Sequence, residues 1–157
     1  MIRKLFVLLS LIFLYQVISV SLLYNSNYLN VVSYYTHPPI KGAIELKRLP
    51  FLFGDQISLK ILKSKKAEAA QLINAGNIGM AAILSSYQHN QALPKADARK
   101  RSIQVAELFI SAGYDLSQCE SDGRSTASVL RDWGVLDEDF KVLLSQAVNN
   151  GDIFSCQ

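Results

Sequence analysis

From Leu5 to Tyr24 the chain runs for twenty residues without a charge, with Ser10, Gln16, Ser19 and Ser21 as its polar interruptions. A helix of about 20 such residues crosses the hydrocarbon of a bilayer. The segment is apolar all round and lacks the polar face of a helix lying on a soluble core. Residues 25–60 hold no sustained period. Asn25, Ser26, Asn27 and Asn30 make a polar exit, and Val31 to Tyr35 reads as a short strand or a helix extension. His37-Pro38-Pro39 then breaks any regular element, because proline has no backbone N–H to donate. Leu49-Pro50 and Gly54-Asp55 add turn signals. Phe51, Leu52 and Phe53 are read as an apolar arm covering one end of a helical domain.

From about residue 57 the pattern turns helical. Ala67 to Ile73 is rich in alanine and ends at Asn74-Ala75-Gly76. A second helix is expected from about Ile78 to Tyr87, followed by a polar loop over Gln88 to Pro94. A third starts near Asp97, read as its cap. Along it Val105, Leu108, Phe109 and Ala112 fall on one face, and Gly113 stops it as a left-handed glycine does. A loop over 114–124 leads to a short helix from Ser125 to Trp133, closed by Gly134. Asp137 caps a fifth helix, on which Phe140, Leu143, Leu144, Ala147 and Val148 share a face before Asn149-Asn150-Gly151. Short helices joined by short turns are the hairpin pattern of a helical solenoid.

Charge matters most at the N-terminus. Arg3 and Lys4 form a positive flank ahead of the apolar run and are expected to stay on the cytoplasmic side, sending the rest across. An uncleaved anchor is preferred to a cleaved signal peptide. The run is long for a signal, and Ser19-Val20-Ser21 is a poor small-residue cleavage site. With Arg3 and Lys4 set aside, the formal charge falls from +3 to +1. That near-neutrality argues against nucleic acid as a partner. Cys119 and Cys156 lie in no CxxC motif and have no histidine at metal-ligand spacing. They either pair in an oxidising compartment, where a loop of that length would contribute about 3–4 kcal/mol, or remain two free thiols.

Two stretches carry a resemblance. Val105-Ala106-Glu107-Leu108-Phe109-Ile110-Ser111-Ala112-Gly113-Tyr114-Asp115-Leu116-Ser117 resembles the second helix and exit of an ankyrin repeat. Tyr114 and Ser117 replace two residues that the family favours. Asp122-Gly123-Arg124-Ser125-Thr126-Ala127 resembles the start of the following repeat. Gly113 and Gly151 are 38 residues apart, near the family's period of about 33. The resemblance is clearest over residues 103–127 and extends at most over 67–151. Gln88–Asp97 would be an insertion, and the threonine-proline-leucine-histidine signature is absent. The resemblance implies a divergent ankyrin-like domain that binds a protein partner through loops and first helices. On that basis Tyr114, Asp115, Gln118, Asp122 and Arg124 are the candidate contacts.

Candidate chemistry is sparse. His37 and His89 have no Ser or Cys nucleophile in a recognisable motif beside them and read as loop residues. Asp137-Glu138-Asp139 could hold a cation, but at a helix start it reads first as a complement to the helix dipole. Arg99-Lys100-Arg101 with Lys95, and the cluster Lys63, Lys65 and Lys66, read first as solvated helix faces, with acidic lipid or a partner as the alternative. Trp133 is expected in the core against Phe140. No phosphate-loop, dinucleotide or HExxH motif occurs, and neither a metal nor another cofactor is expected.

The sequence therefore predicts a mostly α protein. An N-terminal transmembrane or signal helix (1–24) is followed by a linker and packing arm (25–60) and a short ankyrin-like helical-hairpin solenoid (61–157). The expected function is a non-enzymatic, exported, membrane-tethered binding module, with an inhibitor or immunity protein of an envelope toxin as one specific form. An envelope enzyme with an unrecognised site and a structural subunit of a membrane assembly are the alternatives. The expected setting is a bacterial inner membrane with the C-terminal domain in the periplasm, or a periplasmic or secreted protein if the N-terminal segment is cleaved.

Overall fold

The computed structural model describes residues 2–37, 53–76, 79–148 and 152–156. Among these residues it is helical and contains no strand. Eight α-helices succeed one another: α1 (Ile2–Tyr24), α2 (Tyr28–Thr36), α3 (Gly54–Ser64), α4 (Lys66–Asn74), α5 (Met80–Ser85), α6 (Lys95–Ser111), α7 (Thr126–Asp132) and α8 (Glu138–Ala147). A 3-10 turn, Ser86–His89, prolongs α5. The residues divide into two compact units, 1–65 with 91–93, and 66–90 with 94–157. Pro38, Pro39, Leu49, Pro50, Phe51 and Leu52 lie outside the described residues, as do Ile78 and Asn149-Asn150-Gly151.

In the first unit α1 is long and apolar enough to be a membrane span or a signal sequence, with a mean hydropathy of 2.4 over its most apolar 18-residue stretch. Its large side chains from Leu5 to Ile18 stand exposed, Phe6 and Phe13 more than 70%. That much bare apolar surface on one helix is compatible with either reading. Ser10 and Ser19 return their hydroxyls to the Phe6 and Tyr15 carbonyls, so neither leaves a bare polar group. Over the last two turns Ser19 and Leu23 are buried, while Leu22 and Tyr24 stay exposed.

Val31 to Tyr35 belongs to a helix, and the strand alternative is excluded. Asn27 caps α2 by accepting the Asn30 N–H at 2.8 Å, which satisfies one orphan donor of the first turn. Tyr28, Val31, Tyr34 and Tyr35 are buried, a helical spacing that packs α2 against α3. The Tyr34 hydroxyl lies 3.0 Å from where a Gly54 Cβ would stand, so glycine lets the start of α3 approach the end of α2. Phe53 does not serve as a cover: it is 72% exposed beside that glycine.

The second unit is built around α6. Leu84 lies near Ser102, and Tyr87 lies near Lys95, so α5 and its 3-10 extension run antiparallel to α6. Helix α4 also packs on α6, and α5 packs on α7. The third helix begins at Lys95, two residues before the predicted cap, with Pro94 at the cap position. Proline fixes the entering backbone there and needs no donor partner. Its buried line is Ala98, Ser102, Val105, Ala106 and Phe109. Ser102 joins this line because its hydroxyl bonds the Arg99 carbonyl at 2.8 Å.

Both glycine stops beyond α6 and α7 form the same motif. Gly113 and Gly134 have φ of 104° and 68°. The Tyr114 and Val135 N–H groups reach back to the Phe109 and Leu130 carbonyls, the six-to-one bond of a Schellman cap. At the end of α7, Leu130 and Val135 are both buried, whereas Trp133 is 50% exposed. The expected Trp133–Phe140 packing is thus replaced. Val135 turns inward after the cap, and Phe140 is met instead by Tyr87 edge-on at 6.1 Å and by the Arg99 guanidinium at 4.9 Å.

Candidate partner-binding loop

The loop between α6 and α7 gathers every residue predicted to contact a partner. Its shape comes from short-range bonds. Asp115 accepts the Ser117 hydroxyl at 2.6 Å and the Ser117 N–H at 2.9 Å, an Asx turn. These two bonds, the hydroxyl first, hold the Asp115 carboxyl below its ordinary pKa. A second turn runs over 120–123, closed by the Gly123 N–H on the Glu120 carbonyl at 2.9 Å. Gly123 has φ of 80°, a left-handed conformation that suits glycine.

Arg124 donates twice to one Asp122 oxygen, from Nε at 2.9 Å and Nη2 at 2.5 Å. The Arg124 N–H donates to the other oxygen at 3.1 Å. The guanidinium first, and that N–H second, lower the Asp122 pKa. Arg124 also reaches Asp132 on α7 at 2.6 Å. The pair therefore presents a fixed fork of charge at the surface.

Tyr114 differs from the other four. Asp115, Gln118, Asp122 and Arg124 are exposed, but Tyr114 is only partly so. Its hydroxyl approaches the Met80 backbone, and burial followed by the nearby Glu120 charge raises its pKa. Much of this side chain thus serves the start of α5.

Sequence patterns did not single out Glu120, and they left the pairing of Cys119 with Cys156 open. The Glu120 carboxylate accepts the Ala81 N–H at 2.9 Å and the Thr126 hydroxyl at 2.8 Å through one oxygen. It thereby caps α5 from a distant segment, a role no local capping pattern reveals. Cys119 and Cys156 are joined in a disulfide with Cα atoms 5.1 Å apart. This lays residues 152–156 beside the loop, where Arg131 covers the Phe154 ring at 5.0 Å.

Elsewhere, Asp137 caps α8 by accepting the Phe140 N–H at 3.0 Å. Asp137 and Asp139 also take the Arg99 guanidinium at 2.6 and 2.8 Å. His37 meets the Thr36 hydroxyl at 2.9 Å, and His89 is exposed on the 3-10 turn. Among the described residues no group of three His, Cys, Asp or Glu side chains converges to hold a metal ion.

No protein-family model, curated protein or solved structure matches this chain. The ankyrin resemblance therefore rests on the residues quoted for it. The loop carries an exposed polar surface on which two carboxylates and a guanidinium are hydrogen-bonded to their neighbours.

Proposed function

We propose that this protein is a membrane-tethered, ankyrin-like protein-binding module whose C-terminal domain faces away from the cytoplasm and holds its partner on the 114–124 loop. The observation that carries this reading is the bracing of that loop. A Schellman cap, an Asx turn, the Glu120 bonds and the disulfide fix its backbone, while Asp115, Gln118, Asp122 and Arg124 stay exposed. A binding surface ordered in advance loses less entropy when its partner arrives.

Three further features support parts of the proposal. The side-by-side packing of α5 on α7, and of α5 on α6, is what stacked helical hairpins require. The disulfide suits an oxidising compartment, and Arg3 and Lys4 ahead of α1 favour export of the rest of the chain. Inhibition of an envelope toxin is a specific form of this function.

The test is capture of the partner. The chain is tagged at its C-terminus, crosslinked in intact cells and purified from the membrane fraction. One dominant exported protein in near-equal amount is the expected result. Recovery of the chain alone would overturn the reading. Replacement of the exposed Gln118 by alanine should then reduce capture while leaving the melting temperature of the domain unchanged. Tyr114 is unsuited to that test because its loss also disturbs α5.

A further inference from the structure

We infer that the membrane-side end of α3 is a binding surface for anionic lipid headgroups, formed by Lys60 and Lys63 and set at headgroup level by Lys65. The inference rests on the reading of α1 as a membrane span. From Leu5 to Tyr24, twenty residues rise about 30 Å, the thickness of the hydrocarbon. That places Tyr24 at the interface, where tyrosine rings concentrate. Tyr24 is 54% exposed, and the neighbouring Leu22 and Leu29 are also exposed, as side chains meeting lipid would be.

Lys65 ties α3 to this level. Its ammonium donates to the Ser26 carbonyl at 2.9 Å and lies 5.7 Å from the centre of the Tyr24 ring. The opposite end of α3 meets Tyr34 at the far end of α2. Helix α3 therefore runs from the far end of α2 back to the exit of α1. Lys63 and Lys60 then stand about 3 and 7–8 Å back along the helix axis from Lys65, within side-chain reach of phosphates. Both are exposed. The acidic residue of α3, Asp55, lies at its far end, so positive charge is concentrated where the headgroups would be.

The sequence distance hides this surface. Lys65 lies 41 positions beyond Tyr24, and only the return of α3 brings it to the exit of α1. Dispersed lysines held near a negative leaflet each gain a measurable attraction, screened by salt.

The full chain, its mass confirming an intact N-terminus, is placed in nanodiscs of phosphatidylcholine alone or with three parts in ten phosphatidylglycerol. Lysine acetylation rates are read by mass spectrometry. The expected result is that Lys60 and Lys63 react about fivefold more slowly in the anionic discs, and that 0.5 M salt, with a screening length roughly half that at physiological salt, removes the difference. Equal rates in both discs, with the protein incorporated, would overturn the lipid surface and leave the anchor standing. Failure of the intact chain to enter discs would overturn the anchor, and the lipid surface with it.

Discussion

Glu120 joins the start of α5, 39 residues away in sequence, to the start of α7. One carboxylate oxygen satisfies the Ala81 N–H and the Thr126 hydroxyl, while Tyr114 approaches the adjacent Met80 N–H. Gly79 leaves room for this carboxylate, since a Cβ there would stand 3.2 Å from its other oxygen. Removing the acceptor leaves a largely buried helix start unsatisfied. Glu120→Ala is expected to destabilise the second unit by roughly 1–3 kcal/mol, measured as a lower midpoint in urea unfolding. A midpoint unchanged from the parent would show that water replaces the carboxylate at no loss. In the sequence Glu120 is one acid in a polar loop, and its role depends on where α5 lies. By contrast, Asp137 sits directly ahead of an apolar period, and its capping role was legible without the fold.

Among the elements, the α6–α7 loop is ordered by carboxylates in their ionised form. Asp115 and Asp122 have folded-state pKa values below the ordinary one, through the Ser117 and Arg124 donors respectively. Depressed values mean that the ionised groups favour the folded loop. Their contribution is present above about pH 4, the unfolded value, and is lost as pH falls through the folded values. Hydrogen exchange of the 115–124 amides is therefore expected to lose protection on acidification from about pH 5 to about pH 3. Asp122→Asn should show a smaller loss over the same range, and an equal loss would assign the acid sensitivity elsewhere. Most helices beyond residue 64 were legible from periodicity and stop signals, whereas α2 and the start of α3 were not: Val31 to Tyr35 also read as a strand and Gly54-Asp55 as a turn, yet both lie in helices. The start of α6 moved back to Pro94, which supplies an entering geometry that a search for side-chain caps overlooks. Trp133 went outside because the cap at Gly134 turns Val135 inward, so the apolar position nearest in sequence was not the one nearest the core.

For the whole molecule, the disulfide is the covalent tie within the second unit. It closes a separation of 37 residues between Cys119 and Cys156 and holds the tail beside the loop proposed to bind a partner. Loop-closure entropy gives about 3–4 kcal/mol for such a link. A Cys119→Ser, Cys156→Ser double variant is expected to lose stability of that order in urea unfolding and to weaken partner capture. If capture holds while stability falls, the tail braces the fold without shaping the binding surface. The first unit presents a different dependence. Helix α1 is long and apolar enough to be a membrane span or a signal sequence, and the lipid surface proposed for the lysines of α3 depends on the first of these.

Read alone, the residues of this chain specified what is local. An uncharged run of twenty residues marks a helix that hides from water, and the apolar periods, caps and glycines set most of the later helices. These signals act over one or two helical turns, so they survive in the linear order of residues. Folding in three dimensions settled everything that depends on segments returning to one another: the distant cap from Glu120, the half-burial of Tyr114, the pairing of the two cysteines and the arrival of Lys65 at the exit of α1. Each joins positions some 30 to 40 residues apart, where no spacing rule applies, because the meeting is set by how the helices pack rather than by how any one of them winds.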